Sequence, residues 1–407
     1  MKKCGLLGEK LGHSYSPVIH SLLADYEYRL YERQAEDLDD FIRSGDWDGL
    51  NVTIPYKKAV VPYCTELTDT ARVIGSVNTL VRLPNGGILG DNTDAYGFEL
   101  LLRQAKLDPA GKKCLVLGSG GASVMACAVL RAMGAASVIV VSRKGQDNYE
   151  NLSKHADADL LINTTPVGMY PNNGQAPVDL RNFRKLSGVA DVVYNPARTA
   201  LLLQAEALGI PHAGGLLMLV AQAKRSAERF SGQDIDNAQI TRITEVLSRQ
   251  MQNIVLIGMP GCGKTKIAKK LSEVLDRPVF EADEIIAEQA GMSIPEIFAA
   301  EGEDGFRARE TAVLRELGKR SRAIISTGGG CVTKPENYNL LHQNGVIVWR
   351  QRDVSLLSRK GRPISLSRDL NELYTERKPM YERFADIVIP PTETIEEATE
   401  AILEALK

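Results

Sequence analysis

Long apolar runs are missing from this 407-residue chain. Runs such as Cys114–Leu117 and Val138–Val141 have the length of strands, and none approaches the roughly 20 residues of a membrane-spanning helix. The apolar run after Met1-Lys2-Lys3 ends at Leu7, too soon for a signal-peptide core, so the expected location is cytoplasmic. Cysteine is scarce, with six residues (Cys4, Cys64, Cys114, Cys127, Cys262 and Cys331) and no C-x-x-C pair, which points to reduced, buried thiols rather than a disulfide framework. Histidine is scarcer at five, without an H-E-x-x-H, so no protein-built transition-metal site is expected. Charge of one sign is not in excess: 49 Lys and Arg against 51 Asp and Glu leave a net −2, which disfavours a nucleic-acid partner. No Pro/Gly/Ser-rich linker interrupts the chain.

What is present is an ordinary globular balance, 44% apolar and 25% charged, over a length that suits two or three domains. Two glycine-rich turns stand out, Gly118–Ala122 and Gly258–Thr265. Each follows a strand pattern (Cys114–Leu117, Ile254–Ile257) and precedes a helix pattern (Ser123–Met133, Lys266–Leu275). Strand, glycine turn and helix open a phosphate-binding α/β unit, because backbone N–H groups at a helix start face the anion. Two nucleotide sites in two domains are therefore expected. Ile235, Ile240, Ile243, Val246 and Leu247 recur at helical spacing and predict a helix over 234–252, with a new strand from Asn253. The boundary is placed at about 248–253.

The first turn, Gly118-Ser119-Gly120-Gly121-Ala122, departs from G-x-G-x-x-G because position 123 is Ser. Its context is that of a dinucleotide site, with a second strand, Val138–Val141, ending in Ser142-Arg143-Lys144. A free ribose 2′-hydroxyl usually meets an acidic residue at that tip, whereas a 2′-phosphate meets arginine. Arg143 can grip phosphate bidentately, so the expected cofactor is NADP(H) rather than NAD(H).

The motifs GHSYSP (Gly12–Pro17), NVTIPYK (Asn51–Lys57), GSVNTL (Gly75–Leu80), DNTDAYG (Asp91–Gly97), NTTPVGM (Asn163–Met169), VYNP (Val193–Pro196) and GGLLMLVAQA (Gly214–Ala223) occur in that order. Together they resemble shikimate dehydrogenase, over residues 1 to about 247. The resemblance implies a substrate domain at 1–100, completed by 214–247, and a Rossmann-like NADP domain at 101–213. A small polyhydroxylated ring needs many hydroxyl and amide partners, and Ser14, Ser16, Asn51, Thr53, Asn78 and Gln222 supply them. By resemblance Ser14 and Ser16 hold the carboxylate, Asn78, Asp94 and Gln222 hold ring hydroxyls, and Tyr194 lines the cleft. Lys57 resembles the family's catalytic lysine and Asp94 its partner, a pair suited to giving a proton to the alkoxide that hydride transfer creates. Thr164, Met169 and Gly215 join the glycine turn and Ser142–Lys144 in the implied cofactor site. One departure is that only Gly145–Asp157 separate Lys144 from the strand 158–163, so a trimmed nucleotide domain is expected.

The second turn satisfies G-x-x-x-x-G-K-[ST] in full, with Gly258, Gly261, Cys262, Gly263, Lys264 and Thr265 around the phosphates. Lys264 should reach the β- and γ-phosphates of ATP or GTP, and Thr265 should ligate Mg²⁺. FEADEII (Phe280–Ile286), GEDGFRARE (Gly302–Glu310), STGGGCV (Ser326–Val332), GRPIS (Gly361–Ser365) and ERKPMYERFAD (Glu376–Asp386) resemble shikimate kinase, across 253–407. A P-loop, nucleoside-monophosphate-kinase-like parallel sheet is implied. So is a substrate site of Asp283, Arg307, Gly329, Gly330 and Arg377, with Asp283 orienting the attacking hydroxyl and Glu310 holding Arg307. Glu281, where the family commonly has Asp, would contact Mg²⁺ through water, and Arg362 resembles a lid arginine on the transferred phosphoryl group. The lid between Arg359 and Arg362 looks short.

The two resemblances describe consecutive reactions. 3-Dehydroshikimate and NADPH would give shikimate, and ATP would then give shikimate 3-phosphate. A quinate-type oxidoreductase fused to a kinase for another small polyol is the alternative.

Overall fold

Short strands, two to six residues long, make three sheets. The computed structural model describes residues 1–12, 14–357 and 369–407. They form two units, one of Met1–Met169, Gln175–Tyr194 and Leu201–Leu247, the other of Tyr170–Gly174, Asn195–Ala200 and Ser248–Lys407.

The first unit holds two sheets. One contains β1 (Lys3–Gly8), β2 (Glu27–Glu32), β3 (Gly49–Val52), β4 (Glu66–Leu67), β5 (Thr79–Arg82) and β6 (Ile88–Asp91), in the order β2-β1-β3-β5-β6-β4. It is mixed: β1 runs parallel to β2 and β3, while β5 is antiparallel to β3 and β6. The other contains β7 (Lys113–Leu117), β8 (Ser137–Val141), β9 (Leu160–Asn163), β10 (Gly188–Asp191) and β11 (His212–Ala213), ordered β11-β10-β9-β7-β8 and wholly parallel. β7 lies inside this sheet, between β9 and β8, and its residues show why. Cys114 and Val116 pack into one buried cluster and Leu115 and Leu117 into another, so an unbroken apolar run serves two faces.

The helices of this unit are α1 (Ser16–Leu23), α2 (Leu38–Ser44), α3 (Asp69–Ile74), α4 (Thr93–Gln104), α5 (Gly121–Ala132), α6 (Ala200–Ala207), α7 (Leu216–Ser231) and α8 (Ala238–Met251). The last begins four residues later than its apolar spacing suggests, because the Asp236 carboxylate accepts the Ala238 N–H and caps the helix there. Between β8 and β9 stands a single 3₁₀ turn, Leu152–His155, in place of a crossover helix.

The second unit is built on β12 (Asn253–Ile257), β13 (Val279–Glu281), β14 (Ile324–Ser326), β15 (Gly345–Arg350) and β16 (Ile387–Ile389), ordered β13-β14-β12-β15-β16 and all parallel. Helix α9 (Lys264–Leu275) follows β12, and α10 (Ala282–Ala290) follows β13. Helix α11 (Ile294–Gly318) is broken at Gly302, whose φ of 71° and ψ of −173° only glycine adopts readily. Helices Glu336–His342, Leu370–Phe384 and Ile395–Ala405 follow. Among the described residues no helix is long and apolar enough to cross a membrane.

Candidate active sites

Backbone pairing gathers three motifs of the first unit. The Val52 N–H donates to the Asn78 carbonyl (2.7 Å), the Val77 N–H to the Lys57 carbonyl (2.8 Å), and the Asn78 N–H to the Asp91 carbonyl (3.0 Å). Lys57 and Asp94 then meet: Nζ donates to Oδ2 at 2.6 Å, with the side chains 30% and 17% exposed, so the pair is sheltered yet reachable. Asp94 sits in the first turn of α4, where unpaired helix N–H groups favour a carboxylate. One turn further, a Cβ on Gly97 would lie 2.6 Å from the Met218 carbonyl oxygen. Glycine there lets α4 close on α7, which brings Gln222 within 3.5 Å of the Asn78 amide nitrogen.

Behind these groups lies a buried hydroxyl hub that sequence reasoning missed. The Ser226 Oγ accepts from Asn51 Nδ2 at 2.8 Å, shares hydrogen bonds with Thr79 (2.8 Å) and Thr93 (3.0 Å), and donates to the Gln222 carbonyl at 3.0 Å. Asn78 joins it, since its Oδ1 accepts from the Thr93 N–H at 2.7 Å and from the Thr79 hydroxyl at 3.0 Å. Asn51 is spent within this network, its Oδ1 taken by the Tyr28 hydroxyl at 2.8 Å. Ser226 stands one turn after Gln222 on α7, and that i, i+4 spacing was the signal available in the sequence.

Ser16 begins α1 and Ser14 lies two residues before it, the Ser16 N–H donating to the Ser14 hydroxyl at 3.2 Å. Thr53 follows β3, its backbone N–H donating to the Leu7 carbonyl at 2.9 Å. Tyr194 packs edge-to-face on Tyr15, ring centroids 6.2 Å apart.

The first glycine turn has the shape of a phosphate cradle. Gly118 has a φ of +108°, and a Cβ there would lie 2.8 Å from the Thr164 hydroxyl, which itself donates to the Leu117 carbonyl. At Gly120 and Gly121 a Cβ would meet nothing within 4 Å, leaving open space over the start of α5 beside Ser119 and Ala122. A dinucleotide pyrophosphate fits that space. Arg143 and Lys144 are exposed at the end of β8, in a turn closed by the Ser142 N–H donating to the Asp147 carbonyl. Met169 is exposed as well, and Gly215 sits so close to the Val192 carbonyl that a Cβ would lie 2.2 Å from its oxygen.

In the second unit a cavity of about 670 Å³ opens at the carboxyl ends of β12, β13 and β14. Gly261, Gly263, Lys264 and Thr265 line it on one side, and Asp283, Arg307, Gly329, Gly330 and Arg377 on the other. Gly258 and Cys262 lie behind the loop: the Cys262 side chain belongs to the core, and its N–H donates to the Met259 carbonyl at 3.2 Å. Lys264 Nζ donates to the Gly258 carbonyl at 2.8 Å, held against the loop it would extend from when phosphate arrives. Thr265 Oγ1 donates to Glu281 Oε2 at 3.0 Å, while the buried Glu281 Oε1 has no hydrogen-bond partner among the described residues. Burial raises the Glu281 carboxyl above its ordinary value. An orphaned carboxylate oxygen beside a threonine hydroxyl fits Mg²⁺, which takes a few oxygen ligands and keeps several waters.

The three glycines of Gly328-Gly329-Gly330 make room for the substrate side. Cβ atoms there would lie 2.5 Å from Glu310 Oε1, 2.5 Å from Pro260 and 2.0 Å from Arg307 Nη2, respectively. Burial works against the Arg307 charge, but Glu310 at 2.7 Å and Glu303 at 3.1 Å hold its pKa above the ordinary guanidinium value. Arg377 is buried too and donates to the Gly329 carbonyl at 3.1 Å. Sequence reasoning missed Arg352, which also lines this cavity. Arg362 and the lid to which it was assigned lie outside the described residues.

Set on these folds, the two sites define an α/β oxidoreductase joined to a P-loop kinase. Comparison gives the families. The model of the shikimate dehydrogenase substrate-binding domain matches residues 6–80, and that of shikimate kinase matches residues 260–407. The shikimate dehydrogenase (NADP(+)) of Clostridium perfringens strain 13 is 36% identical over 268 residues, covering 61% of this chain and 98% of that protein. A chorismate mutase/shikimate 5-dehydrogenase fusion from Clostridium acetobutylicum superposes with a TM-score of 0.58 at 38% identity, over 60% of this chain and 97% of that one. The shikimate 5-dehydrogenase of Thermus thermophilus, solved with NADP(H) and shikimate, gives 0.55 at 28% identity, over 60% and 99%. The chain belongs to the shikimate dehydrogenase family and carries a shikimate kinase domain after it.

Proposed function

We propose that this chain reduces 3-dehydroshikimate to shikimate with NADPH and then phosphorylates shikimate with ATP and Mg²⁺. The observation that carries the reading is the presence, in one chain, of the sheltered Lys57–Asp94 pair and of a complete phosphate loop facing Asp283, Arg307 and Arg377. Two enzymes for consecutive steps share one intermediate, and the kinase drains the product of the reductase. Its cosubstrates, NADPH and ATP, are those of the cytoplasm, where we place the enzyme.

In the reductase, NADPH supplies the hydride when bound. Ser14 and Ser16 take the ring carboxylate, and Asn78, Asp94 and Gln222 take ring hydroxyls, kept in register by Ser226. Lys57, aimed by Asp94, gives a proton to the alkoxide oxygen as the ketone becomes an alcohol. Arg143 and Lys144 meet the 2′-phosphate, which selects NADPH. In the kinase, Arg307 and Arg377 hold the shikimate carboxylate, while Asp283 orients the hydroxyl that attacks the γ-phosphate and accepts its proton. Thr265 and Glu281 would hold Mg²⁺, whose charge offsets that of the phosphates. Arg362, from its motif, closes over the transferred group.

One reaction tests both halves: 3-dehydroshikimate, NADPH, ATP and Mg²⁺ with the purified chain. The expected product is shikimate 3-phosphate, with one NADPH oxidised per ATP consumed. Accumulation of shikimate without phosphate would remove the kinase assignment, and no NADPH oxidation would remove the reductase assignment. The same assay with quinate in the oxidative direction separates the alternative substrate class.

A further inference from the structure

The kinase cavity contains a cation that the assigned roles leave unused. Arg352 lies two residues beyond the end of β15 and lines the cavity beside the phosphate loop. Its Nη1 lies 3.8 Å from where a Cβ on Gly263 would stand, and Gly263 is the residue that caps α9. Its neighbour along the chain, Arg350, explains the placement. The Arg350 carbonyl oxygen is 2.6 Å from the Cβ position of Gly258, so the end of β15 is pressed against the start of the same loop. The Arg350 side chain is buried and anchored, donating to Pro390 (2.9 Å) and Thr392 (Oγ1, 2.9 Å). Arg352 contrasts with it. Among the described residues no hydrogen bond or ion pair engages the Arg352 guanidinium, whereas both Arg350 Nη atoms are engaged; the Nε of each is buried without a partner.

A half-buried guanidinium left without an anion is costly unless a ligand completes it. Arginine also fits phosphate better than any other side chain, through its planar fork. The glycine nearest its fork belongs to the loop whose N–H groups cradle phosphates. We propose that Arg352 is a nucleotide-binding residue of the kinase, ligating the polyphosphate of ATP beside Gly263. The inference rests on the reading of Gly258–Thr265 as an ATP site and adds a second protein cation to it.

The test uses the full chain carrying Arg352→Gln, with Lys264→Ala alongside. For Arg352→Gln the expected result is an ATP KM raised about tenfold or more and ADP inhibition weakened in parallel. Inhibition by adenosine, which lacks phosphate, should stay within twofold of wild type, as should the shikimate KM at saturating ATP. The shikimate KM and the adenosine inhibition, both held near wild type, report that the kinase unit has folded. An ATP KM within twofold of wild type would overturn the proposal. So would adenosine inhibition that falls as far as ATP affinity, since that marks a contact with the base. If Lys264→Ala retained full ATP-dependent phosphorylation, the reading of the loop itself would fail, a result separate from either outcome at Arg352.

Discussion

Arg307 occupies the space that a side chain at residue 330 would need: a Cβ on Gly330 would lie 2.0 Å from its Nη2. The guanidinium cannot yield easily, because Glu310 and Glu303 grip it and it is buried against them. Gly330→Ala should therefore displace Arg307 from the substrate carboxylate. Overpacking of this kind costs about 1–3 kcal/mol. The shikimate KM of the kinase should rise about tenfold, with the dehydrogenase untouched. Equal kinetics in wild type and variant would show that Arg307 is free to move and does not define the pocket.

Lys57→Ala tests the proton donor. General acid catalysis is worth about 10²–10⁴ in rate. Turnover of 3-dehydroshikimate should fall by that order while shikimate still binds, because the polar network around Asn78 and Gln222 does not depend on Lys57. Isothermal titration with shikimate and steady-state kinetics separate the two effects. Loss of binding with turnover kept would make Lys57 a substrate anchor instead.

The sequence made both sites visible for a physical reason, and hid other parts for another. Phosphate cradles and the Lys57–Asp94 pair are written in short local patterns, since backbone conformation and helix starts impose glycine, lysine and aspartate at fixed spacing. Strands such as β7 and β12 were legible because their apolar runs are continuous. Ser226, Thr79 and Thr93 were not, because a buried hydroxyl has no sequence pattern of its own; its role is set by partners up to 175 residues away, as for Ser226 and Asn51. Arg352 was hidden likewise, being one arginine among many until its place beside Gly263 appears in three dimensions. The start of α8 was misjudged because a cap at Asp236 outranks apolar spacing.

Arg143→Glu tests the choice of cofactor. Arg143 is exposed at the end of β8, and the glutamate carboxylate would repel a 2′-phosphate while accepting from a 2′-hydroxyl. The NADPH KM should rise about a hundredfold, and the NADH KM should change little or fall. Parallel changes for both cofactors would locate the 2′-phosphate elsewhere, with Lys144 the next residue to replace.

The last prediction concerns acid stability and turns on His20. Its ring is buried, stacked on Tyr28 with centroids 4.0 Å apart, and its Nδ1 lies 2.6 Å from the Tyr26 hydroxyl. Burial pushes its pKa down from 6.5 to about 3. Between those values the unfolded chain holds a proton that the folded chain lacks, so stability rises with pH across the window and is lost as pH falls from 6.5 toward 3. The slope contributed by one such group approaches about 1.4 kcal/mol per pH unit. His20→Gln removes the titration, so below pH 6.5 its stability should fall less steeply than that of wild type. Hydrogen exchange in urea, followed in peptides from β1 and α1 of the full chain, reads the local unfolding midpoint at each pH. The carboxylates that titrate at lower pH are common to both proteins and cancel in the difference. Parallel curves for the two proteins would mean that His20 is protonated in the fold, and that its stack on Tyr28 tolerates the charge.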